Sequence, residues 1–322
     1  MKHWEAPRCW KWRGAFVIRL TCRHFRSLQS PDRGDFFQGR AALTRFSQEA
    51  SREQSSLDSA AYDRWIMDGV VIAEFYRQPA VYLVRFPGRA DFEIDSDTYR
   101  TRAYPCPDVP SNEVASTYVN QILPIIENHT GSIRLHGSAN QIGGRAVAFM
   151  GSSRRGKTTL TGALARAGHP FLTEDVLEVE RGGQAYLVQP HSKVLRLFED
   201  SAAIVLGRRP EGDRANGKFD VASDEFVPHA GNAAPLGAIC LLGPGESDGF
   251  MQRRLSPLAA ASQFLQQSFL LDVNDKPRLR EHFDRLVTLA EAVPCFEVDY
   301  PRRYDHLPAV VKALEDGFGT GD

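Results

Sequence analysis

At 322 residues, 42% of them hydrophobic and 25% charged, the chain has the make-up of a globular protein with a sizeable core, enough for one large domain or two ordinary ones. Lys plus Arg number 39 against 40 Asp plus Glu, and the resulting net charge of −1 argues against a dedicated nucleic-acid binder. Aromatic residues at 10% exclude wholesale disorder, and no apolar run approaches the roughly 18 residues of a membrane-spanning helix.

Along the chain, the first segment differs from the rest. Between Met1 and Arg26 seven basic residues (Lys2, Arg8, Lys11, Arg13, Arg19, Arg23, Arg26) face one acid, Glu5, and three of the four tryptophans (Trp4, Trp10, Trp12) fall here. A polar stretch from Ser27 to Ser59 follows. Residues 1–60 therefore read as a basic, poorly ordered extension, or else as an arm that holds a peptide or protein. The charge divides accordingly: about +6 in residues 1–26 leaves about −7 for the remainder. The apolar piece Ala15–Ile18 is cut by Arg19 and lacks the length of a secretory signal. Five cysteines (Cys9, Cys22, Cys106, Cys240, Cys295) are scattered and never spaced as C-x-x-C, so a disulfide framework or zinc site is not expected and a cytoplasmic location is.

Residues 61–130 read as a strand-rich region. Val70–Phe75 and Ala80–Phe86 are β-branched and aromatic runs around Arg77-Gln78-Pro79, a hairpin signal. Phe92–Asp95 suggests a further strand, and Pro105, Pro107 and Pro110 mark a loop. Apolar residues at Val114, Tyr118, Ile122, Ile125 and Ile126 predict a helix over 112–128, kinked by Pro124.

Residues 131–315 carry the chemistry. Ile133–Leu135 and Arg145–Met150 read as strands about the Gly143-Gly144 turn, followed by a helix from Lys157 to Arg166 and short strands at Phe171–Thr173 and Val176–Glu180. Further strands are expected at Tyr186–Val188, Lys193–Phe198, Ala238–Leu242 and Phe296–Val298. Helices are expected at Pro257–Phe269 and Arg278–Ala292.

Between the strand ending at Met150 and the helix at Lys157, Gly151-Ser152-Ser153-Arg154-Arg155-Gly156-Lys157-Thr158 matches G-x-x-x-x-G-K-[ST], in the strand–turn–helix context that motif requires. In such a loop the backbone N–H groups and the helix start face phosphate oxygens, the lysine adds positive charge, and Thr158 offers a hydroxyl to the magnesium that accompanies a nucleotide. Gly151 through Thr159 are the candidate nucleotide-binding residues. Arg154 stands where many such loops have a glycine; it and Arg155 either add charge near the phosphates or point to solvent. Glu174-Asp175 follow Lys157 by seventeen and eighteen positions, at the end of the next strand, where a carboxylate can hold magnesium through water or accept the proton of an attacking hydroxyl. His136 closes the preceding strand and either touches phosphate or tunes the acids; otherwise it is a satisfied histidine at a strand end. Ser138 carries less weight.

Taken together, Leu135-His136-Gly137-Ser138-Ala139, the strand from Gly144, the glycine-rich loop and Ala167–Asp175 resemble the HPr serine kinase family, above all its short relatives in peptide-modification clusters, including lasso-peptide biosynthesis. The likeness runs from about residue 62 to 310 and is tightest between 133 and 180. It implies an α/β fold, a P-loop kinase domain of the HPr kinase / PEP carboxykinase-like type preceded by a small strand-rich segment. It also implies an enzyme using ATP and Mg²⁺ to phosphorylate a serine of a peptide or small protein. Carried over, Lys157 and the loop amides hold the β- and γ-phosphates, Thr158 and Asp175 hold Mg²⁺, Glu174 takes the hydroxyl proton, and His136 lies near the phosphates. Relatives also carry basic residues at the places of Arg196 and Lys218. Two departures stand out: the first acid is Glu174 rather than Asp, and the long signature loop of the bifunctional kinase/phosphorylases has no counterpart, so simple kinase action is expected over phosphorolysis. The alternative is a nucleotide-binding regulatory or scaffold protein without turnover. A membrane partner is not expected, and a homo-oligomer is left open.

Overall fold

The computed structural model describes residues 45–67, 69–191, 193–210, 218–224 and 227–319. The described residues form a mixed α/β fold with three sheets. The basic segment 1–26, with Cys9 and Cys22, lies outside the described residues. The later part of the predicted 1–60 extension does not: Phe46–Gln48 is a strand, β1.

The first sheet runs β1-β6-β5-β4-β3-β2, with β2 Asp63–Met67, β3 Val70–Gln78, β4 Val81–Phe86, β5 Ala90–Asp95 and β6 Thr101–Pro105. The β3–β4 hairpin closes on Pro79-Ala80, and Ala80 takes the left-handed φ of +62° that a tight hairpin turn demands and that glycine adopts most easily. Strands β2 to β6 are antiparallel neighbours, whereas β1 joins β6 in parallel. Arg52 and Gln54 then tie the following stretch to Glu93 and Asp91. One face of this sheet (Trp65, Phe75, Val84, Phe92, Ile94) packs on Val114, Tyr118, Ile122 and Ile125.

The single kinked helix expected over 112–128 is three pieces: α1 Ser111–Thr117, a π-helical turn Tyr118–Ile122, and α2 Leu123–His129. The π turn relocates Pro124 to the first turn of α2, where its missing N–H costs nothing, so the helix is re-started rather than bent.

The second sheet runs β11-β10-β7-β8-β14-β16-β15, with β9 attached to β7. Its members are β7 Ile133–Ile142, β8 Arg145–Met150, β9 Phe171–Thr173, β10 Val176–Gly182, β11 Ala185–Val188, β14 Ala234–Leu242, β15 Met251–Arg254 and β16 Cys295–Asp299. Strands β8, β14 and β16 are parallel. Because β8 is covered on both faces, it reads as an unbroken apolar run. Ala146, Ala148 and Met150 face Ala260, Phe264, Leu286 and Leu289 of α5 (Pro257–Gln266) and α6 (Lys276–Ala292), while Val147 and Phe149 face Leu160 and Leu164 of α3 (Lys157–Arg166) and Val310 and Leu314 of α7 (Leu307–Phe318). Ser256 and Asp275 cap α5 and α6 through their side-chain oxygens.

A third, two-stranded ribbon pairs β12 Val194–Phe198 with β13 Lys218–Ala222. Its apolar face (Leu195, Leu197, Phe219, Val221) packs on α3 and on α4 (Glu199–Leu206). The two helices touch closely at Gly162, where a Cβ would lie 2.7 Å from a methyl of Val205. Among the described residues no helix is long and apolar enough to cross a membrane, and Cys106, Cys240 and Cys295 are free and buried.

Candidate functional site

The chain leaves β8 at Met150 and enters α3 at Lys157 through a loop that uses left-handed backbone three times: Gly151 (φ +143°), Arg154 (φ +66°) and Gly156 (φ +83°), the last being the N-cap of α3. Glycine meets this at either end. Arg154 meets it with a side chain, at a cost of about 1 kcal/mol, a strain that the surrounding loop must hold. Ser152, Ser153 and Arg154 are exposed and Arg155 is half-buried, so of the two arginines Arg154 is the one turned outward.

Lys157 lies over the loop rather than in solvent. It is 8% exposed, and its Nζ donates to the carbonyls of Gly151 (2.7 Å) and Ser152 (3.2 Å). Burial pulls its ammonium down to about 8, against the attraction of Asp175 and Glu174. The next two residues diverge. Thr158 donates its hydroxyl to Glu174 Oε1 at 2.9 Å, whereas Thr159 turns its hydroxyl 3.0 Å from Ser201 of α4, which in turn lies 3.0 Å from Tyr304 Oη.

Strand β9 runs antiparallel to β7, itself antiparallel to β8, so β9 delivers Glu174-Asp175 to the same sheet edge as the loop. Glu174 is 2% exposed. Asp175 has φ +71°, and this turn aims its own carbonyl at β7, where it accepts from Gly137 N (3.2 Å) and meets His136 Nδ1 at 3.0 Å. Since a carbonyl can only accept, Nδ1 carries the imidazole proton. Burial, then the nearby Lys157, hold His136 down to about 3, so it is neutral at physiological pH. Ser138, two residues on, accepts from Thr161 of α3 at 2.7 Å and serves the packing of helix on strand.

Arg196 reaches in from the ribbon and forks between the acids. Its Nη2 lies 3.3 Å from Glu174 Oε2 and hydrogen-bonds Asp175 Oδ2. The acids diverge in acidity. Burial and the neighbouring Asp175 push Glu174 up to about 7, against Arg196 and Lys218; for Asp175 burial acts upward too, but Arg196, His136 and Lys218 outweigh it and hold it near 2. The same contacts raise Arg196 above the ordinary guanidinium range, although burial opposes them. Two residues further along β12, Phe198 is 47% exposed and pairs across the strands with Lys218, whose Nζ lies 5.3 Å from the ring centroid.

The structure thus brings Lys157, Thr158, Glu174, Asp175, His136 and Arg196 to one edge. It joins Thr158 to Glu174, rather than to the Asp175 with which a shared cation was expected. Thr159 is drawn toward α4. Among the described residues no group of three or more His, Cys, Asp or Glu is placed to hold a metal ion. The available donors are one hydroxyl and two carboxylates, an all-oxygen set that suits a hard cation shared with a ligand better than a dedicated metal cage.

Two neighbours of the loop escaped the sequence reading. A Cβ on Gly156 would lie 3.8 Å from both Tyr300 Oη and Arg302 Cδ. Tyr300 directly follows a parallel strand, β16, and Arg302 lies two residues further, a position at a strand's carboxyl end that is the available signal.

No protein-family model matches the chain, and no curated protein does. Among solved structures it is similar to the HPr(Ser) kinase/phosphatase from Coxiella burnetii, at 11% identity and a TM-score of 0.32, over 57% of this chain and 95% of that one.

Proposed function

We propose that the chain is an ATP-dependent kinase of the P-loop type that transfers a phosphoryl group to a serine hydroxyl of a peptide or small protein. One observation carries this reading: a G-x-x-x-x-G-K-T loop between a parallel strand and a helix, linked by the Thr158–Glu174 hydrogen bond to an acid pair at the same edge. Lys157 exchanges its two loop carbonyls for β- and γ-phosphate oxygens, which hold an ammonium more strongly than neutral carbonyls do. Thr158 and Asp175 would hold Mg²⁺, which supplies neutralising charge to the phosphates. Asp175 suits that role because it stays ionised across the working pH range. Glu174, held near 7, is matched to taking the proton of the serine hydroxyl. Arg196 and Lys218 then face the charge that develops on the transferred group once Arg196 leaves the acids.

A second reading is favoured by that same arginine. Arg196 engages both carboxylates, and a chain in which it never lets go would bind nucleotide without turnover, as a regulatory protein. Purified protein incubated with γ-labelled ATP, Mg²⁺ and the peptides encoded beside its gene separates the two. Label on a serine supports the kinase; tight ATP binding with no transfer to any peptide supports the regulator.

A further inference from the structure

We propose that the nucleoside half of the donor nucleotide rests on the corner made by Arg302 and the loop 243–247, which lie over the buried Tyr300, on the flank of the phosphate loop opposite the acids. The inference deepens the preceding reading and depends on residues 151–158 holding phosphate. Strand β8 sits in its sheet between β7 and β14. The acids arrive on the β7 side. Strands β14 and β16 run parallel to β8, so the segments after Leu242 and after Asp299 emerge at the same edge on the other side. Both touch the loop: a Cβ on Gly151 would lie 3.1 Å from the carbonyl oxygen of Leu242, and Gly156 abuts Tyr300 and Arg302. A triphosphate whose γ end lies at Glu174 must leave its ribose and base at the far end of the phosphate chain. That direction is this corner.

The corner is built to stay in place. The Asp299 carboxylate accepts from the N–H groups of Gly245 (2.6 Å), Glu246 (2.9 Å) and Ser247 (3.2 Å) and from the Ser247 hydroxyl (3.1 Å). Arg302 donates to the carbonyls of Tyr300 (2.7 Å) and Gly243 (2.8 Å) and to Asp299 (3.3 Å), with its guanidinium 3.9 Å from the centroid of the Tyr300 ring. The backbone donors of 245–247 are thereby used up, which leaves Arg302 to recognise a ligand. Its side chain is still 21% exposed, and its Nε is buried without a hydrogen-bond partner. A guanidinium fixed flat in this way, with one face on the Tyr300 ring and its Nε turned in toward Gly245, suits a planar base stacked on its outer face. The ribbon face carrying Phe198 and Lys218 is left, on the acid side, for the hydroxyl acceptor.

Titration calorimetry of ADP and of inorganic tripolyphosphate, each with Mg²⁺, on the full chain and on Arg302→Ala tests this. The expected result is that ADP weakens by about tenfold in the variant while tripolyphosphate stays within about twofold. A parallel loss of both ligands, or an unchanged ADP affinity, overturns the assignment. Wild-type protein that binds neither ligand sinks the phosphate-loop reading itself. Should Arg302→Ala fail to fold, photolabelling of the wild type with 8-azido-ADP decides: label within 243–249 or 300–303 supports the seat, and label within 194–222 overturns it.

Discussion

Replacing Glu174 by Gln should make the protein more stable at pH 8 while abolishing phosphoryl transfer. The side chain is 2% exposed, and its carboxyl is raised from the ordinary 4.5 to about 7, first by burial and then by Asp175. The folded chain therefore holds this proton up to about pH 7, whereas the unfolded chain releases it near 4.5. Between those values the folded state binds more protons, so stability falls as pH rises, and above 7 the loss is complete at roughly 3 kcal/mol. Glutamine mimics the protonated acid and keeps an oxygen for the Thr158 hydroxyl. Its two N–H donors fit less well between Arg196 and Asp175, which returns part of the gain. The expected net effect is about 1–3 kcal/mol of stabilisation at pH 8, shrinking to nothing near pH 4.5. Urea denaturation of both proteins across pH 4.5–8.5, compared at the midpoints, measures it. A stability difference that does not change with pH, or a variant less stable at pH 8, would refute the argument that Glu174 is held protonated by its surroundings. Loss of transfer with ADP affinity kept would place the residue in the chemical step rather than in binding.

Three further perturbations follow from the same contacts. Arg196→Ala leaves the buried Glu174–Asp175 pair without the guanidinium that bridges it and should cost about 3–5 kcal/mol at pH 7; because Asp175 is held at a lowered pKa, the wild-type advantage is full above about pH 4 and is lost as pH falls toward 2, so the gap between the thermal melts of the two proteins should be clearly narrower at pH 3 than at pH 7. Lys157→Met removes the buried ammonium and should weaken ATP binding by about a hundredfold or more in calorimetry, with the circular-dichroism spectrum unchanged; affinity within a few-fold of wild type would exclude a phosphate contact there. Gly162→Ala drives a methyl into Val205, 2.7 Å away, and should destabilise by about 1–3 kcal/mol, while adding Val205→Ala should recover much of it; an undiminished loss in the double variant would mean the helices are not held apart by that contact.

What the sequence discloses depends on how far apart the partners lie along the chain. The loop and its acids fall within 151–175, and their geometry follows from one strand, one helix and one more strand, so motif and periodicity locate them. The apolar run Ala146–Met150 is equally legible, because burial on both faces leaves no polar position to confuse it. Helix α7 carries Leu307, Val310, Val311 and Leu314 at helical spacing, but Pro308 at its second residue masks that signal, although a proline is tolerated in a first turn. Strand β1 is beyond any local rule. Three residues with one partner, in parallel with β6 some 55 positions away, form only because the sheet edge is already there.

The charge at the site shows the same limit more sharply. Arg196 has nothing nearby in sequence to mark it apart from other arginines. It becomes the counter-charge of Glu174 and Asp175 because Leu195 and Leu197, its neighbours on the other face of the ribbon, are buried against α3 and α4 and leave it no other direction. Period-two alternation thus sets where the arginine points, and helix packing sets what it points at. The ribbon is consequently a lever on the acids. If the core under β12–β13 is loosened, by Leu197→Ala for example, Arg196 should hold the acids less firmly, and the acidity of Asp175 should move back toward the ordinary carboxylate value. A carboxyl titration of Asp175 by NMR that is unmoved in Leu197→Ala would show instead that the ion pair positions the ribbon, and not the ribbon the ion pair.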